Sequence, residues 1–306
     1  MINIKYIIEN IKKLKKEKNA VIIAHHYAPV EIHEVCDVLG DSRGVFEAVK
    51  KGFDEEIIVT VMPYFFGEII KAILPDKKIL IPVKSRCPVA NNPELSFDKI
   101  SAFKEKYPNI PLVCYATSPF KIKLLADKLA FPGEVVRVID EINSDKVLFV
   151  GEKNCTEEAL MKCKNEVIPY EGNPVCNVYS SATIHDVNKL KEKYPNMYLM
   201  VHPECRKEIL NVADEVCGTG EMYEIIKNTD YETYVLGVEK GFYDRVINEI
   251  PNKNVIHLSP YLVCNAFKTF RISDVENSLI NLTEEIIVDN AVAKKLKDVV
   301  DDLVNP

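Results

Sequence analysis

The sequence predicts an α/β protein of three related units, each a parallel sheet with helices on both faces. Three observations carry that prediction. Cys87, Cys176 and Cys264 stand 89 and 88 positions apart in a chain of 306 residues. The tripeptide Lys-Glu-Lys recurs from Lys16, Lys104 and Lys191, at separations of 88 and 87, and each copy precedes an apolar run: AVIIAHHY, IPLVCY and MYLMVHP. Short continuous apolar stretches alternate with helical patterns, as expected of strands covered on both faces. The period exceeds the roughly 20–50 residues of open solenoids, so it marks triplicated domains rather than a stack of small repeats.

The elements follow in order. In the first unit, 21–24, 57–62 and 78–82 read as strands, with helices over 42–51 and 67–74, the latter stopped by Pro75. In the second, strands are expected at 112–115, 147–150 and 167–169, and helices at 98–106, 120–128, 134–142 and 156–163. The third offers strands at 199–202, 234–237 and 255–258, with helices at 186–193, 206–212, 222–228 and 241–250. An Asp opens a helical segment ten or eleven residues after each periodic cysteine, at Asp98, Asp186 and Asp274. The helix from about 273 therefore occupies the place after Cys264 that opens a new unit, and it is expected to pack on the first. The domains read as 1–86 with 272–306, 87–175 and 176–271.

Composition narrows the function. Apolar residues make up 47% of the chain, enough to fold throughout, and the net charge of −7 comes without a basic face, which argues against nucleic acid as a partner. The Lys-rich stretch at 12–18 reads as the solvated side of a first helix. No run reaches the ~18 apolar residues of a membrane span, and the N-terminus lacks the pattern of a signal peptide. Nine cysteines without an export signal indicate a reducing, cytoplasmic setting, where thiols bind metals or react more often than they pair.

The three periodic cysteines lie in SRCPVANN, PVCNVYS and LVCNAFK, none of them a CxxC pair. Brought together, they would offer three thiolates with one position open, which suits zinc and a [4Fe–4S] cluster alike. Polar groups follow the strands: His25 and Tyr27, Tyr115 and Thr117, His202 and Glu204. In α/β sheets ligands sit beyond the carboxyl ends of strands, so these groups are candidates for a shared cavity. His202 and Glu204 are natural proton-transfer groups, although a Pro-containing surface turn would read the same way. Ser42 and Thr219 each fall 17 residues after a strand-end histidine, beside glycine. Each is either a helix cap or a contact for a carboxylate or phosphate.

These motifs resemble the quinolinate synthase family over nearly the whole chain. The resemblance rests on AHHY at 24–27, GDS at 40–42, FGEIIKAILP at 66–75, the Cys-Pro-Val-Ala-Asn loop from Cys87, and LVCY at 112–115. It continues through EKN at 152–154, HPEC at 202–205, GTGEM at 218–222 and CNAFK at 264–268. It implies three Rossmann-like αβα domains about a pseudo-threefold axis and a [4Fe–4S] cluster held by Cys87, Cys176 and Cys264. The implied reaction condenses iminoaspartate with dihydroxyacetone phosphate and removes water and phosphate to close a pyridine ring, a step in NAD biosynthesis. The implied roles place His25 and Ser42 on substrate carboxylate or phosphate, Tyr27 and Tyr115 on the condensing groups, and His202 and Glu204 in proton transfer, with Thr219 assisting binding. An oxygen-sensitive enzyme, and a partner enzyme that supplies the unstable imine, are implied as well.

The chain departs from the family pattern in three places. Thr117 stands where the family has Asn, Phe131-Pro132-Gly133-Glu134 replaces a hydroxyl-rich stretch, and Tyr179 stands where the family has His after the second cysteine. Thr117 and Tyr179 are therefore candidate substrate contacts that could mark a paralogue acting on another small carboxylated or phosphorylated substrate. A non-catalytic iron–sulfur carrier or sensor is the reading from another class; it would need the cysteines but not His202, Glu204 or Ser42.

Overall fold

A computed structural model describes residues 4–300 and contains three four-stranded parallel sheets. The first repeat runs α1 (Ile4–Glu17), β1 (Ala20–His25), α2 (Val30–His33), β2 (Val38–Gly40), α3 (Ser42–Lys51), β3 (Ile57–Val61), α4 (Tyr64–Ile73) and β4 (Lys78–Leu80). The second runs α5 (Phe97–Lys106), β5 (Leu112–Tyr115), α6 (Phe120–Lys123), β6 (Lys128–Ala130), α7 (Val135–Asp140), β7 (Lys146–Val150), α8 (Lys153–Lys162) and β8 (Glu166–Pro169). After a short 3₁₀ turn come α9 (Ile184–Lys193), β9 (Met197–Val201), α10 (Lys207–Leu210), β10 (Glu215–Val216), α11 (Thr219–Asn228), β11 (Thr233–Gly237), α12 (Lys240–Glu249) and β12 (Val255–His257). The chain closes with α13 (Asn265–Lys268), α14 (Ile272–Asn281) and α15 (Asn290–Val300).

The sheets share one strand order, β2-β1-β3-β4, β6-β5-β7-β8 and β10-β9-β11-β12, so the sequence repeat is a repeat of topology. The inner strands β1, β3, β5 and β11 are buried along their whole length. This is why they read as unbroken Val/Ile/Leu runs rather than alternating ones. Each fully buried side chain of that kind contributes about 1.5–3 kcal/mol.

The repeat extends to side chains. Asp37, Asp127 and Asp214 each accept the N–H of an inner-strand residue fifteen positions earlier, Ile22, Leu112 and Leu199, at 2.8, 2.8 and 2.7 Å. Each returns its own N–H to the carbonyl of that same residue, at 2.8, 2.8 and 2.9 Å. One aspartate thus ties each inner strand to the loop entering its edge strand. Lys15 and Lys104 complete the device in the first two repeats, reaching Asp37 at 2.6 Å and Asp127 at 2.9 Å. Two of the aspartates that open helices act in common: Asp186 accepts the N–H of Thr183 at 2.8 Å, and Asp274 that of Arg271 at 3.0 Å.

The chain divides into two compact units, Met1–Cys87 with Asn265–Pro306, and Pro88–Cys264. In the first, α14 packs on α1 and β3, and α15 packs on α4. Between them the backbone pairs with the exposed edge of β4: Leu80 bridges Glu285, and Ile286 N–H donates to the Ile79 carbonyl at 2.8 Å. A strand edge that would otherwise offer unpaired groups is covered. The second unit holds the other two sheets. The sequence reading extended the first domain to residue 306, and positions 301–306 lie outside the described residues.

The structure adds three strands that the sequence reading lacked, β2, β6 and β10. They are edge strands of two or three residues, too short for any periodicity to register. The helix expected over 120–128 is one turn, α6, because the chain re-enters the sheet at Lys128. Helix α4 begins at Tyr64, three residues before the expected start, because Pro63 forms its N-terminal boundary.

Candidate active site

In the first unit, β1 ends at His25, and its last residues carry the turn His25-His26-Tyr27. The Tyr27 N–H donates to His25 Nδ1 at 3.2 Å. The rings of His25 and Tyr27 meet edge to face at 4.2 Å, and Phe267 from α13 lies 5.0 Å from His25. Lys268 Nζ donates to the Tyr27 carbonyl at 2.8 Å, so the segment after Cys264 braces this turn. Ser42 is buried at the start of α3, whose cap is the preceding Asp41: its carboxylate accepts from Gly44 N–H at 2.8 Å. The Ser42 hydroxyl is thus not spent on capping its own helix.

The second unit repeats the turn with different chemistry. Glu204 N–H donates to His202 Nδ1 at 3.3 Å, as Tyr27 N–H does to His25. With Nδ1 accepting, the imidazole proton resides on Nε2. Burial lowers the His202 pKa to about 3, so the ring is neutral and serves as a hydrogen-bond donor. Tyr179 stacks on it, centroids 4.3 Å apart and planes 10° from parallel.

Glu204 is the hub of this unit. The Tyr115 hydroxyl donates to Glu204 Oε1 at 2.6 Å, joining the end of β5 to the turn after β9. Behind it the Cys155 thiol donates to the Tyr115 oxygen at 3.7 Å, and Asn154 Nδ2 donates to the Glu204 carbonyl at 2.7 Å. The Cys176 thiol also hydrogen-bonds the Glu204 carboxylate. Glu204 shares this buried neighbourhood with Glu152, whose carboxylate accepts the N–H groups of Cys155 and Cys176, both at 2.9 Å. Desolvation raises the pKa of both carboxylates, and the charge of Glu204 adds to the rise at Glu152. The pair therefore holds a proton well above the ordinary carboxylate range, the state a general acid needs near neutrality.

Thr117 is half-buried in the turn after β5, and Thr219 is buried at the start of α11. Behind Thr219, Gly133 at φ +82° lies so close to Gly218 that a Cβ would meet the Gly218 nitrogen at 2.8 Å. The 131–134 loop and the start of α11 thus touch backbone to backbone. The second unit brings Tyr115, Tyr179, His202, Glu204 and Cys176 into one network. His25 and Tyr27 form a second group within the first unit.

The sequence reading gave no role to Glu152, Glu239, Asn154 or Lys268. The signal for the glutamates was present: Glu152 and Glu239, each followed by Lys, are 87 residues apart, one fewer than Cys176 and Cys264.

Cys87, Cys176 and Cys264 have the chemistry to hold an iron–sulfur cluster. All three are half-buried, and none is in a disulfide. Each stands two residues after a carbonyl that accepts the first N–H of the helix following the third strand of its repeat: Tyr64 to Ser85 at 3.5 Å, Lys153 to Pro174 at 2.8 Å and Lys240 to Leu262 at 2.8 Å. Cys114, Cys155, Cys205 and Cys217 are instead buried, and desolvation pushes their thiols up, that of Cys114 to about 12. Metal ligation needs thiolates, which those surroundings disfavour. Within neither unit do three or more His, Cys, Asp or Glu side chains gather as a metal site among the described residues. Cys87 belongs to the first unit, and Cys176 and Cys264 to the second.

Comparison with known proteins agrees with these motifs. The family described as quinolinate synthetase A protein matches residues 9–305. The chain is 34% identical to the quinolinate synthase of Alkaliphilus metalliredigens over 290 residues, 94% of each chain. It is 33% identical to that of Methanocaldococcus jannaschii over 301 residues, 96% of this chain and 97% of the other. It is 32% identical to that of Clostridium kluyveri over 292 residues, 95% of each. A family match across almost the whole length, with the cysteine period and the strand-end residues in place, shows that the chain belongs to the quinolinate synthase family.

Proposed function

We propose that this protein is itself a quinolinate synthase, condensing iminoaspartate with dihydroxyacetone phosphate. Closing the pyridine ring releases inorganic phosphate and two molecules of water. The observation that carries the reading is the buried hydrogen bond from the Tyr115 hydroxyl to Glu204, a strand-end carboxyl group whose pKa is raised by desolvation. Each chain residue then has a task. Glu204 gives and takes the protons of imine formation and dehydration, and Tyr115 orients its carboxyl group. Neutral His202, through Nε2–H, donates to a substrate oxygen. His25, Ser42 and Thr219 bind carboxylate or phosphate, Tyr27 positions the condensing carbon, and Thr117 and Tyr179 shape the substrate's surroundings.

Cys87, Cys176 and Cys264, each in the loop that follows the last strand of one of the three repeats, would hold a [4Fe–4S] cluster. When bound, its open iron supplies Lewis acidity for loss of a hydroxyl as water. Among the described residues no helix is long and apolar enough to cross a membrane, and we place the enzyme in the cytoplasm. The lability of an imine in water calls for a nearby enzyme that produces it.

Anaerobic purification with iron and sulfide counts, followed by assay with iminoaspartate and dihydroxyacetone phosphate, tests this reading. Quinolinate formation that disappears in Glu204→Gln supports it. A cluster-loaded protein that makes none points to a paralogue with another small substrate, a reading favoured by Thr117 and by Tyr179 stacked on His202.

A further inference from the structure

We propose that Glu152 and Glu239 are positioning residues for the cysteines that hold the cluster, each fixing the backbone of one of them. Both glutamates are fully buried, and each stands immediately before the helix that follows the third strand of its repeat. One oxygen of each caps that helix: Glu152 Oε2 accepts Cys155 N–H at 2.9 Å, and Glu239 Oε2 accepts Gly241 N–H at 2.5 Å. The other oxygen reaches across to the next loop, where Glu152 Oε1 accepts Cys176 N–H at 2.9 Å and Glu239 Oε1 accepts Cys264 N–H at 3.0 Å.

An ordinary helix cap needs one acceptor and a local partner. Here a single carboxylate serves two donors, one local and one 24 or 25 residues away, and the distant donor is the periodic cysteine in both cases. The adjoining backbone adds a second tie, from Lys153 N–H to Pro174 and from Lys240 N–H to Leu262, both at 2.8 Å. Cysteine loop and helix start are therefore clamped twice within three residues. In the first repeat the corresponding position is Pro63, which has no carboxylate to offer, so the device is specific to the second and third cysteines.

The chemistry selects a carboxylate over its amide. Both oxygens face N–H donors, so Gln in either place would satisfy one donor and turn its own NH₂ toward the other. An isosteric replacement would restore a role that was only a matter of packing, and here it should not. A buried N–H that loses its acceptor pays its full desolvation penalty, so loss of the clamp should open the loop about tenfold.

This inference rests on the cluster reading for its purpose, but it is tested on iron-free protein. In the full-length apo chain under native anaerobic conditions, alkylation by iodoacetamide is followed at each cysteine by mass spectrometry. Glu239→Gln should speed Cys264 about tenfold and leave Cys87 unchanged, and Glu152→Gln should do the same for Cys176. Wild-type rates at the targeted cysteine in a folded variant, or an equal rise at all three, would overturn the proposal. If the variants do not fold, hydrogen exchange in the wild type decides. The Cys176 and Cys264 amides should be strongly protected, and exchange at loop rates would overturn the clamp.

Reconstitution then separates the two readings. A clamp at work in cluster binding predicts faster iron loss to a chelator from Glu239→Gln than from wild type. If Cys264→Ser binds as much iron as wild type, the cluster reading fails while the alkylation result on the clamp still stands.

Discussion

The Tyr115 hydroxyl lies 2.6 Å from the carboxylate of Glu204, so residues 89 positions apart join the ends of two different sheets through one buried hydrogen bond. Tyr115→Phe removes that bond and leaves Glu204 with one donor fewer in a desolvated place. The expected cost is about 1–3 kcal/mol in urea unfolding, the range for leaving a buried polar group without its partner. Quinolinate formation should fall by about tenfold or more, in kcat more than in KM, but less than the roughly 10²–10⁴ that loss of the acid itself would cost. Wild-type kcat in Tyr115→Phe would remove Tyr115 from the mechanism.

His202 predicts an acid-sensitive component of stability. Its pKa in the folded protein is about 3, well below the ordinary value for an exposed imidazole. Between those values the unfolded chain binds a proton that the folded chain refuses. The His202 contribution is fully present above the unfolded pKa and is lost as pH falls toward 3, with a limiting slope of about 1.4 kcal/mol per pH unit. The Glu152–Glu204 pair has the opposite sign, because its raised folded pKa favours the folded state at low pH and that advantage fades as pH rises. The clean measurement is therefore the difference between wild type and His202→Gln by denaturant titration from pH 7 to pH 4. The gap between them should change steadily in favour of the variant as pH falls, and a constant gap would contradict a buried neutral His202.

Gly133 and Gly67 make a matched pair of substitutions. A Cβ on Gly133 would meet the Gly218 backbone nitrogen at 2.8 Å from a backbone already at φ +82°, and neither atom can swing aside. A Cβ on Gly67 would meet the Ile286 Cδ1 methyl at 2.1 Å, the mobile end of a side chain that can change rotamer. Gly133→Ala should thus destabilise by more than the roughly 1 kcal/mol of the left-handed backbone alone. Gly67→Ala should cost less than Gly133→Ala, because helix propensity favours Ala over Gly by about 1 kcal/mol. Thermal unfolding of both variants checks the order.

The fold was legible because its repeat is written three times. Inner strands buried on both faces announce themselves as apolar runs, and the recurring Asp after each cysteine marks a helix start. The edge strands β2, β6 and β10 were not legible, since each is two or three residues following a one-turn helix, whereas β4 and β12, equally short, lie in the longer apolar runs at 78–82 and 255–258. In the site, strand-end residues such as His25, Tyr115 and Glu204 could be singled out because position in an α/β sheet predicts where ligands lie. Their partners could not. The bond from Tyr115 to Glu204 and the reach of Glu152 to Cys176 depend on how loops far apart in sequence fold together, and no local spacing encodes that. Glu152 and Glu239 did recur within one residue of the spacing of Cys176 and Cys264, a clue visible only when glutamates are compared across repeats.

The periodic cysteines should separate cleanly from the rest by substitution. Serine at Cys87, Cys176 or Cys264 should each lower iron after anaerobic reconstitution to a small fraction of wild type. Serine at Cys114 or Cys217, buried with raised thiol pKa values, should leave iron content unchanged in protein that folds.

The most direct test is one preparation made under strict exclusion of air, with iron and acid-labile sulfide counted per chain and quinolinate measured after addition of iminoaspartate and dihydroxyacetone phosphate. The account predicts about four irons and four sulfides, as a cubane requires, with steady formation of quinolinate. A colourless protein after reconstitution, or a loaded one that leaves both substrates untouched, would contradict it.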